Sequence, residues 1–313
     1  MAVVLRSRAV NNTLQLAARI SFIMHKEESL SLVKNPDFIS GVYNYCDRWC
    51  ERCPLTARCF LYATEEADGD LSDPEVHDIN NERFWQKLRS IFESTAEMLR
   101  EWAEEAGVDL NSIDLSQARE EAEQDRQRVD QDELSQAARE YAVAVEDWFK
   151  TEMDARMDVY DDRSASAEEE YDLRVSDAIE VIRWYQFFVA AKVHRALSGM
   201  DQIDEAAFDD EEILSFDFSS GPDNDDDEID YDEIVARSSL IDSNGSAKIA
   251  LVAIDRSIAA WGALQISQTD KSQTIKPLLL HLERLRQSLE TRFPRARDFI
   301  RPGFDENLSE FVS

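Results

Sequence analysis

The fold of this 313-residue chain is decided by the stretch Ile179-Glu180-Val181-Ile182-Arg183-Trp184-Tyr185-Gln186-Phe187-Phe188-Val189-Ala190-Ala191-Lys192-Val193. Its apolar side chains would lie on more than one face of a helix, which leaves little surface for water. A helix that is apolar nearly all round is typical of the middle of a bundle. We therefore predict a central helix over about 165–197.

Most of the remaining chain repeats apolar residues at three- and four-residue steps, which is the spacing of one helix face. Glycine and proline together number only fifteen, as in mostly helical proteins. Residues 115–135 are mostly polar, so they form either an exposed helix or a poorly ordered stretch. The pattern predicts an all-α, multi-helix bundle with further helices over about 12–33, 36–53, 81–106, 136–157, 246–264 and 275–293.

The helix predicted over 81–106 has the clearest boundaries. Asn81 is a favourable N-cap residue, and Gly107 stands where helices commonly stop. Its apolar stripe is broad, and we predict that it packs in the core rather than lining a cofactor pocket. The stripe consists of Phe84, Trp85, Leu88, Ile91, Phe92, Met98, Leu99 and Trp102.

Three segments divide the chain. Residues 1–200 form a helical domain that carries the cysteines, residues 201–236 form an acidic flexible loop, and residues 237–313 supply closing helices. We expect these closing helices to pack on the same bundle, so that the chain forms one domain overall. After the last of these helices, aromatic residues of the tail 299–305 are predicted to pack back on the bundle.

The net charge of −32 is unevenly distributed. Residues 1–60 carry +3 and residues 238–313 carry +1, so the middle of the chain holds −36. Nucleic-acid binding depends on neutralising phosphates with basic groups, and we do not expect it here. Attraction to a basic partner is the easier electrostatic prediction.

The acidic loop 201–236 has sixteen Asp or Glu residues and no Lys or Arg. Such a segment repels itself and buries too little surface to fold alone. It is either a solvated insertion or a docking segment for a basic protein. A calcium loop at Asp223, Asp225 and Asp227 is excluded, because the positions of the required glycine and closing glutamate hold Glu228 and Ile234.

All four cysteines of the chain fall within fourteen residues, at Cys46, Cys50, Cys53 and Cys59. Four thiolates around a metal or a cluster explain this crowding better than scattered structural thiols do. The alternatives are disulfides or free thiols, and disulfides would need an oxidising compartment. The arginines of the segment are candidates for offsetting the charge of bound thiolates, and its tryptophan for shielding them: Arg48, Arg52, Arg58 and Trp49.

The spacing of the cysteines bears on which metal they would hold. On a helix, Cys46, Cys50 and Cys53 share one face at i, i+4 and i+7. Sulfurs on one zinc ion are about 3.8 Å apart, whereas helical neighbours are roughly 6 Å apart at Cβ, which suits a larger iron–sulfur cube better. Pro54 predicts that the helix ends at Cys53 and that a loop returns Cys59.

The sequence Cys50-x2-Cys53-Pro54-Leu55-x3-Cys59 resembles the end of the 4Fe–4S loop of endonuclease III-type DNA glycosylases. That loop runs C-x6-C-x2-C-x5-C, whereas the first spacing here is x3. The resemblance covers about fourteen residues and implies that Cys46, Cys50, Cys53 and Cys59 ligate a 4Fe–4S cluster. The family's Gly-rich DNA-binding element has no counterpart here, so glycosylase activity is not implied.

The sequence therefore predicts an iron–sulfur protein whose centre serves structure, redox sensing or electron transfer. The alternative is a zinc-stapled adaptor that recruits a basic partner through its acidic loop. A weaker alternative is an enzyme with polar residues inside the bundle, at Glu180, Lys192 and Asp255. No phosphate-binding loop, nucleophile elbow or Glu-x-x-His pattern is present.

The N-terminal 25 residues have scattered arginines and no apolar core of a secretory signal. No uninterrupted apolar run approaches the ~18 residues of a membrane span. We expect a cytoplasmic protein without a membrane segment.

Overall fold

The computed structural model describes residues 35–67, 75, 78–153, 167–198 and 231–305. This part contains helices, turns and irregular segments but no strand, so the predicted all-α class is confirmed for it. Short 3-10 turns cover Cys50–Arg52, Thr56–Arg58, Leu110–Ser112 and Thr269–Lys271. The α-helices of the described ranges are α1 (Phe60–Ala67), α2 (Glu82–Glu105), α3 (Ser116–Gln131), α4 (Glu133–Met153), α5 (Ala167–Leu197), α6 (Tyr231–Ser267) and α7 (Ser272–Arg292). The helix predicted over 12–33 lies outside the described residues.

The chain divides into two compact units that are not continuous in sequence. The first comprises Met1–Tyr43 and Arg48–Ser116, and the second comprises Asn44–Asp47 and Gln117–Ser313. Cys46 therefore belongs to the second unit, together with its neighbours Asn44, Tyr45 and Asp47.

The second unit is built on a four-helix bundle in which α4 packs on α5, α5 on α6, α6 on α7, and α7 on α4. The stretch that predicted a central helix lies within α5, whose bounds agree with the prediction. Ile182, Tyr185, Val189 and Val193 are completely buried there. The three- and four-residue steps between them place these side chains on the inner face of α5.

Large aromatic rings fill the middle of this bundle. Trp148 and Trp261 pack edge to face with ring centroids 4.9 Å apart, and Phe149 joins them. Trp261 donates its indole N–H to the hydroxyl of Tyr141 at 3.0 Å, and Trp148 donates to Thr274 at 3.0 Å. Because buried indole N–H groups find acceptors here, the rings contribute apolar area without an unsatisfied donor.

Helix α6 begins earlier than predicted, at Tyr231 rather than Ser246. Residues 231–236 of the predicted acidic loop are therefore helical, and that part of the loop prediction is wrong. Residues 201–230 of the predicted loop lie outside the described residues.

Helix α6 is also more apolar than the sequence analysis allowed. Within the described residues, Val235–Ser267 is long enough to pass for a membrane span, and its most apolar 18-residue window has a mean hydropathy of 1.4. Half of its most apolar window is buried inside the protein. The helix packs on α5 and α7, as a core helix of a bundle does.

Helix α2 has the predicted ends but not the predicted environment. Asn81 accepts a hydrogen bond from the backbone N–H of Arg83 at 3.0 Å, and Gly107 has a left-handed φ of 68° just after the helix. The stripe predicted to be core is largely exposed, and Ala103 is the buried residue of the helix. Residues 116–131 are helical as α3, which decides the alternative left open for 115–135.

Candidate functional site

The backbone of the cysteine segment is a series of turns rather than one helix. Residues 36–45 form turns, and the first helical turn near the cysteines is the 3-10 turn Cys50–Arg52. Gly41 and Arg48 have left-handed φ values of 71° and 58°, which a right-handed helix cannot include. The predicted helix from Pro36 through Cys53 is therefore wrong, and so is its i, i+4, i+7 thiol face.

Cys50 and Cys53 are nevertheless on one side of the chain. Cys50 opens the 3-10 turn, and Cys53 follows it with its N–H bonded to the Cys50 carbonyl at 3.1 Å. Residues i and i+3 of a 3-10 turn are aligned, because three residues complete a turn. Cys53 is extended, with φ −86° and ψ 125°, as the predicted effect of Pro54 requires.

The thiol of Cys53 accepts a backbone hydrogen bond. The N–H of Leu55 lies 3.4 Å from the Cys53 Sγ. Hydrogen bonds of this kind to ligating sulfurs help to set the potential of iron–sulfur clusters.

Cys59 closes a second turn of the same type and leads into α1. Its N–H donates to the Thr56 carbonyl at 3.2 Å, and its carbonyl accepts from Ala63 at 3.1 Å. The adjacent Arg58 is tied to residues 37–39, because its Nε donates to the Asp37 carbonyl at 3.2 Å and its carbonyl accepts from Ile39 at 3.0 Å. The backbone on both sides of Cys59 is thus fixed by hydrogen bonds.

The other predicted neighbours of the centre have partners of their own. Arg48 forms an ion pair with Glu65 at 2.6 Å, and the guanidinium of Arg52 stacks 4.0 Å from the ring centroid of Trp49. Trp49 is buried, as a shielding side chain would be. Phe60, the residue after Cys59, is partly buried and contacts Phe38 with ring centroids 6.1 Å apart.

Cys46 lies between two residues that are held firmly in the second unit. On one side, Tyr45 packs in a buried cluster with Ile241 and Phe299. The predicted packing of the C-terminal tail is thus confirmed for Phe299. Burial, together with the charge of Asp242, raises the pKa of Tyr45.

On the other side of Cys46, Asp47 accepts three hydrogen bonds from the bundle. The Tyr185 hydroxyl donates to its carboxylate at 2.6 Å, Arg256 donates to the same oxygen, and Trp184 donates to its carbonyl at 3.0 Å. Burial and the bond to Asp47 raise the pKa of Tyr185 to about 12. The sequence analysis did not predict these hydrogen bonds, because nothing local marks Asp47 as a partner of residues 138 and 209 positions away.

The four cysteines are partly exposed, and they form no disulfide with one another. Cys50, Cys53 and Cys59 belong to the first unit and Cys46 to the second. Within the described ranges, no group of three or more His, Cys, Asp or Glu side chains is placed to hold a metal ion. The donor set suits a thiophilic metal in kind, but the thiols are not gathered into a ligand set in this structure.

The polar residues suggested for an enzymatic site do not form one shared group inside the bundle. Glu180 is exposed, and Arg183 pairs with Glu146 at 3.1 Å. Asp255 forms ion pairs with Arg297 and Arg286 at 2.6 and 3.5 Å. Lys192 lies 5.3 Å from the ring centroid of Phe188.

Comparison with known proteins gives no match to any protein-family model, curated protein or solved structure. The resemblance of the cysteine segment to the glycosylase loop stays a prediction.

Proposed function

We propose that Cys46, Cys50, Cys53 and Cys59 bind a metal centre, with a 4Fe–4S cluster as the first candidate and Zn²⁺ as the second. The centre would serve structure, redox sensing or electron transfer in the cytoplasm. The observation that carries the proposal is the confinement of every thiol of the chain to one short segment, in which the four cysteines are partly exposed and form no disulfide.

The local backbone supports ligation by Cys50 and Cys53. Both thiols start from the same side of one tight turn, and Cys53 already accepts an amide hydrogen bond. Two cysteines separated by two residues are common in both zinc and iron–sulfur sites. Metal binding would have to bring the thiols together, and such coupling of ligation to local folding is general in small metal sites.

The choice between cluster and zinc rests on fewer arguments than the sequence suggested. The helical spacing that favoured a cube over a single ion is absent, because Gly41 and Arg48 interrupt the helix. The resemblance to the glycosylase loop keeps the cluster first. The tight turn at Cys50–Arg52 favours the zinc alternative, because it brings the backbone of Cys53 close to that of Cys50, and zinc requires closely spaced sulfurs.

Purification of the full chain under anaerobic conditions, followed by elemental analysis, tests the proposal. A brown protein with about four iron and four sulfide per chain supports the cluster, and a colourless protein with one zinc supports the alternative. Cys50→Ser and Cys53→Ser should each abolish stoichiometric metal, whereas Thr56→Ser in the same segment should not. Wild-type protein that holds neither metal in stoichiometric amount after anaerobic reconstitution with iron and sulfide, or with zinc, overturns the proposal.

A basic protein partner is a second proposal, carried by the charge of residues 201–236. Carboxylates concentrated in one segment attract cationic surfaces over about a Debye length, and this attraction weakens as salt is added. Deleting residues 201–230 should weaken salt-sensitive binding to an immobilised polylysine probe while leaving the helical content of the bundle unchanged. Unchanged binding by the deletion variant contradicts this role.

A further inference from the structure

Helix α2 presents large apolar side chains to solvent along its whole length. Trp85 is 50% exposed, Phe92 65% and Trp102 60%, and Ile91, Met98 and Leu99 are exposed to a similar degree. Within the described part of the first unit, no other helix packs along it. Contiguous apolar surface of this kind marks an interaction site in soluble proteins.

The large apolar residues of α2, which are exposed or partly exposed, follow a heptad pattern. The positions Phe84, Leu88, Ile91, Thr95, Met98 and Trp102 are separated by alternating steps of four and three residues. Trp85, Phe92 and Leu99 follow at seven-residue intervals beside this seam. Three heptads of this pattern favour packing against a second helix in a coiled-coil geometry.

The charges of α2 are divided between its two halves. Residues 82–92 contain Arg83, Lys87 and Arg89 against one glutamate, a net charge of +2. Residues 93–105 contain five glutamates against Arg100, a net charge of −4. An antiparallel copy of the same helix would set each basic half against an acidic half, whereas a parallel copy would set like against like.

We propose that α2 is a homodimer interface in which the α2 helices of two copies pair antiparallel about a two-fold axis. Such an interface is isologous, because the same face serves both copies. Phe84 then packs against Trp102 of the second copy, Leu88 against Met98, and Ile91 against Thr95. In this register Phe92 meets its own symmetry mate near the axis.

The same register pairs two charged positions that flank the seam. Lys87 and Glu101 are two heptads apart and occupy equivalent heptad positions, one in each half of α2. Antiparallel pairing places Lys87 of one copy beside Glu101 of the other. Each dimer then contains this ion pair twice.

The available surface is sufficient for a dimer. The helix is about 36 Å long at 1.5 Å per residue. Large apolar side chains that are half exposed contribute roughly 100 Å² each, so the face supplies on the order of 600–800 Å² per copy. Stable protein interfaces bury about 800 Å² per partner.

The competing occupant is the apolar stripe predicted within residues 12–33 of the same chain. That segment contains two basic and two acidic residues, so its net charge is zero. It offers no charge complement to the divided charges of α2, and a second copy does.

Sedimentation of the full chain over a range of concentrations tests the proposal. The wild type should be a dimer that dissociates on dilution, and Phe92→Glu should be monomeric because two carboxylates would meet at the axis. Lys87→Glu and Glu101→Lys should each raise the dimer dissociation constant about tenfold or more, since each creates two like-charge contacts. The double variant Lys87→Glu/Glu101→Lys should restore wild-type dimerisation.

Arg100→Glu is the matched control, because it makes the same charge change on the side of α2 opposite the seam and should leave the dissociation constant unchanged. Circular dichroism verifies that each variant keeps its helices. A wild type that is monomeric at every concentration overturns the proposal, as does a dimer that survives Phe92→Glu. A monomer that dimerises only after deletion of residues 1–34 overturns it in favour of the chain's own N-terminal segment.

Discussion

The ring of Tyr45 lies directly on Gly245, in the interior of α6. A Cβ added at Gly245 would be 2.4 Å from Cε1 and 2.6 Å from Cδ1 of that ring. The ring cannot turn away freely, because it packs edge to face on Phe299 with centroids 4.8 Å apart and touches Ile241. Gly245 is therefore what allows the segment before Cys46 to dock on the bundle.

Gly245→Ala should destabilise the protein by about 1–2 kcal/mol, because overpacking a filled site outweighs the ~1 kcal/mol gain in helix propensity. Gly262→Ala is the matched control in the same helix, since a Cβ there meets nothing within 4 Å. It should stabilise by up to about 1 kcal/mol. Urea unfolding of both variants measures the difference.

A double-mutant cycle isolates the cause. In a Tyr45→Ala background, Gly245→Ala should cost nothing or stabilise, because the ring that it strikes is gone. An equal penalty in both backgrounds would show that Gly245 is needed for some other reason.

Arg48 has a left-handed backbone conformation and also forms a surface ion pair. Two substitutions separate the effects of these two features on stability. Arg48→Ala loses the partly exposed pair with Glu65 and keeps the unfavourable φ of 58°. Arg48→Gly loses the same pair but adopts that φ without strain. We expect Arg48→Gly to unfold at higher denaturant, with an advantage of about 0.5–1 kcal/mol after the greater freedom of unfolded glycine is included. Equal stability of the two variants would contradict a strained Arg48.

Lys271 forms an ion pair with Glu152 in which the two partners differ in burial. The ammonium lies 2.9 Å from the Glu152 carboxylate and 2.7 Å from its carbonyl oxygen, and the lysine side chain is only 10% exposed against 22% for the glutamate. Glu152→Gln leaves a buried cation without a counter-charge and should cost about 3 kcal/mol. Lys271→Met leaves a carboxylate that reaches water and should cost less. Thermal unfolding ranks them, and the reverse order would contradict this account.

The raised pKa of Tyr141 predicts how the stability of the protein changes as the pH becomes alkaline. Burial raises its pKa to about 12, although hydrogen bonds with Trp261 and Ser257 oppose the shift. The unfolded chain ionises this phenol near pH 10, before the folded protein does. Its contribution to the free energy of unfolding is therefore complete below pH 10 and is lost between about pH 10 and 12, on the order of 2 kcal/mol.

Tyr141→Phe checks this prediction. It should lower stability at pH 7, because the Trp261 N–H loses its acceptor, and it should make the fall between pH 10 and 12 shallower. A fall as steep as that of the wild type would show that Tyr141 is not responsible. Part of the slope should remain, since the pKa of Tyr185 is also raised.

The helices could be predicted where one local signal was sufficient. The apolar run 179–193 specified the central helix, and Asn81 and Gly107 specified the ends of α2. These features act over one or two turns of chain, and a sequence displays them directly.

The errors arise where the structure depends on distant partners. Periodicity showed that α2 has an apolar face but not what covers it, and the same spacing would occur in a core helix. The cysteine helix failed at Arg48, a residue whose left-handed backbone no composition indicates. Gly245 was the available signal that was missed, because an isolated glycine inside an apolar helix commonly marks a close approach.

The assignment of Asn44–Asp47 to the second unit limits how this protein can be cut. A fragment beginning at Gln117 contains all four bundle helices but lacks Tyr45, whose ring covers Ile241 and Phe299. It also lacks Asp47, whose carboxylate accepts hydrogen bonds from Tyr185 and Arg256. Such a fragment would expose an apolar hollow and an unmatched arginine. Anyone who trims the chain to study its bundle should therefore retain the tetrapeptide, or supply it in trans.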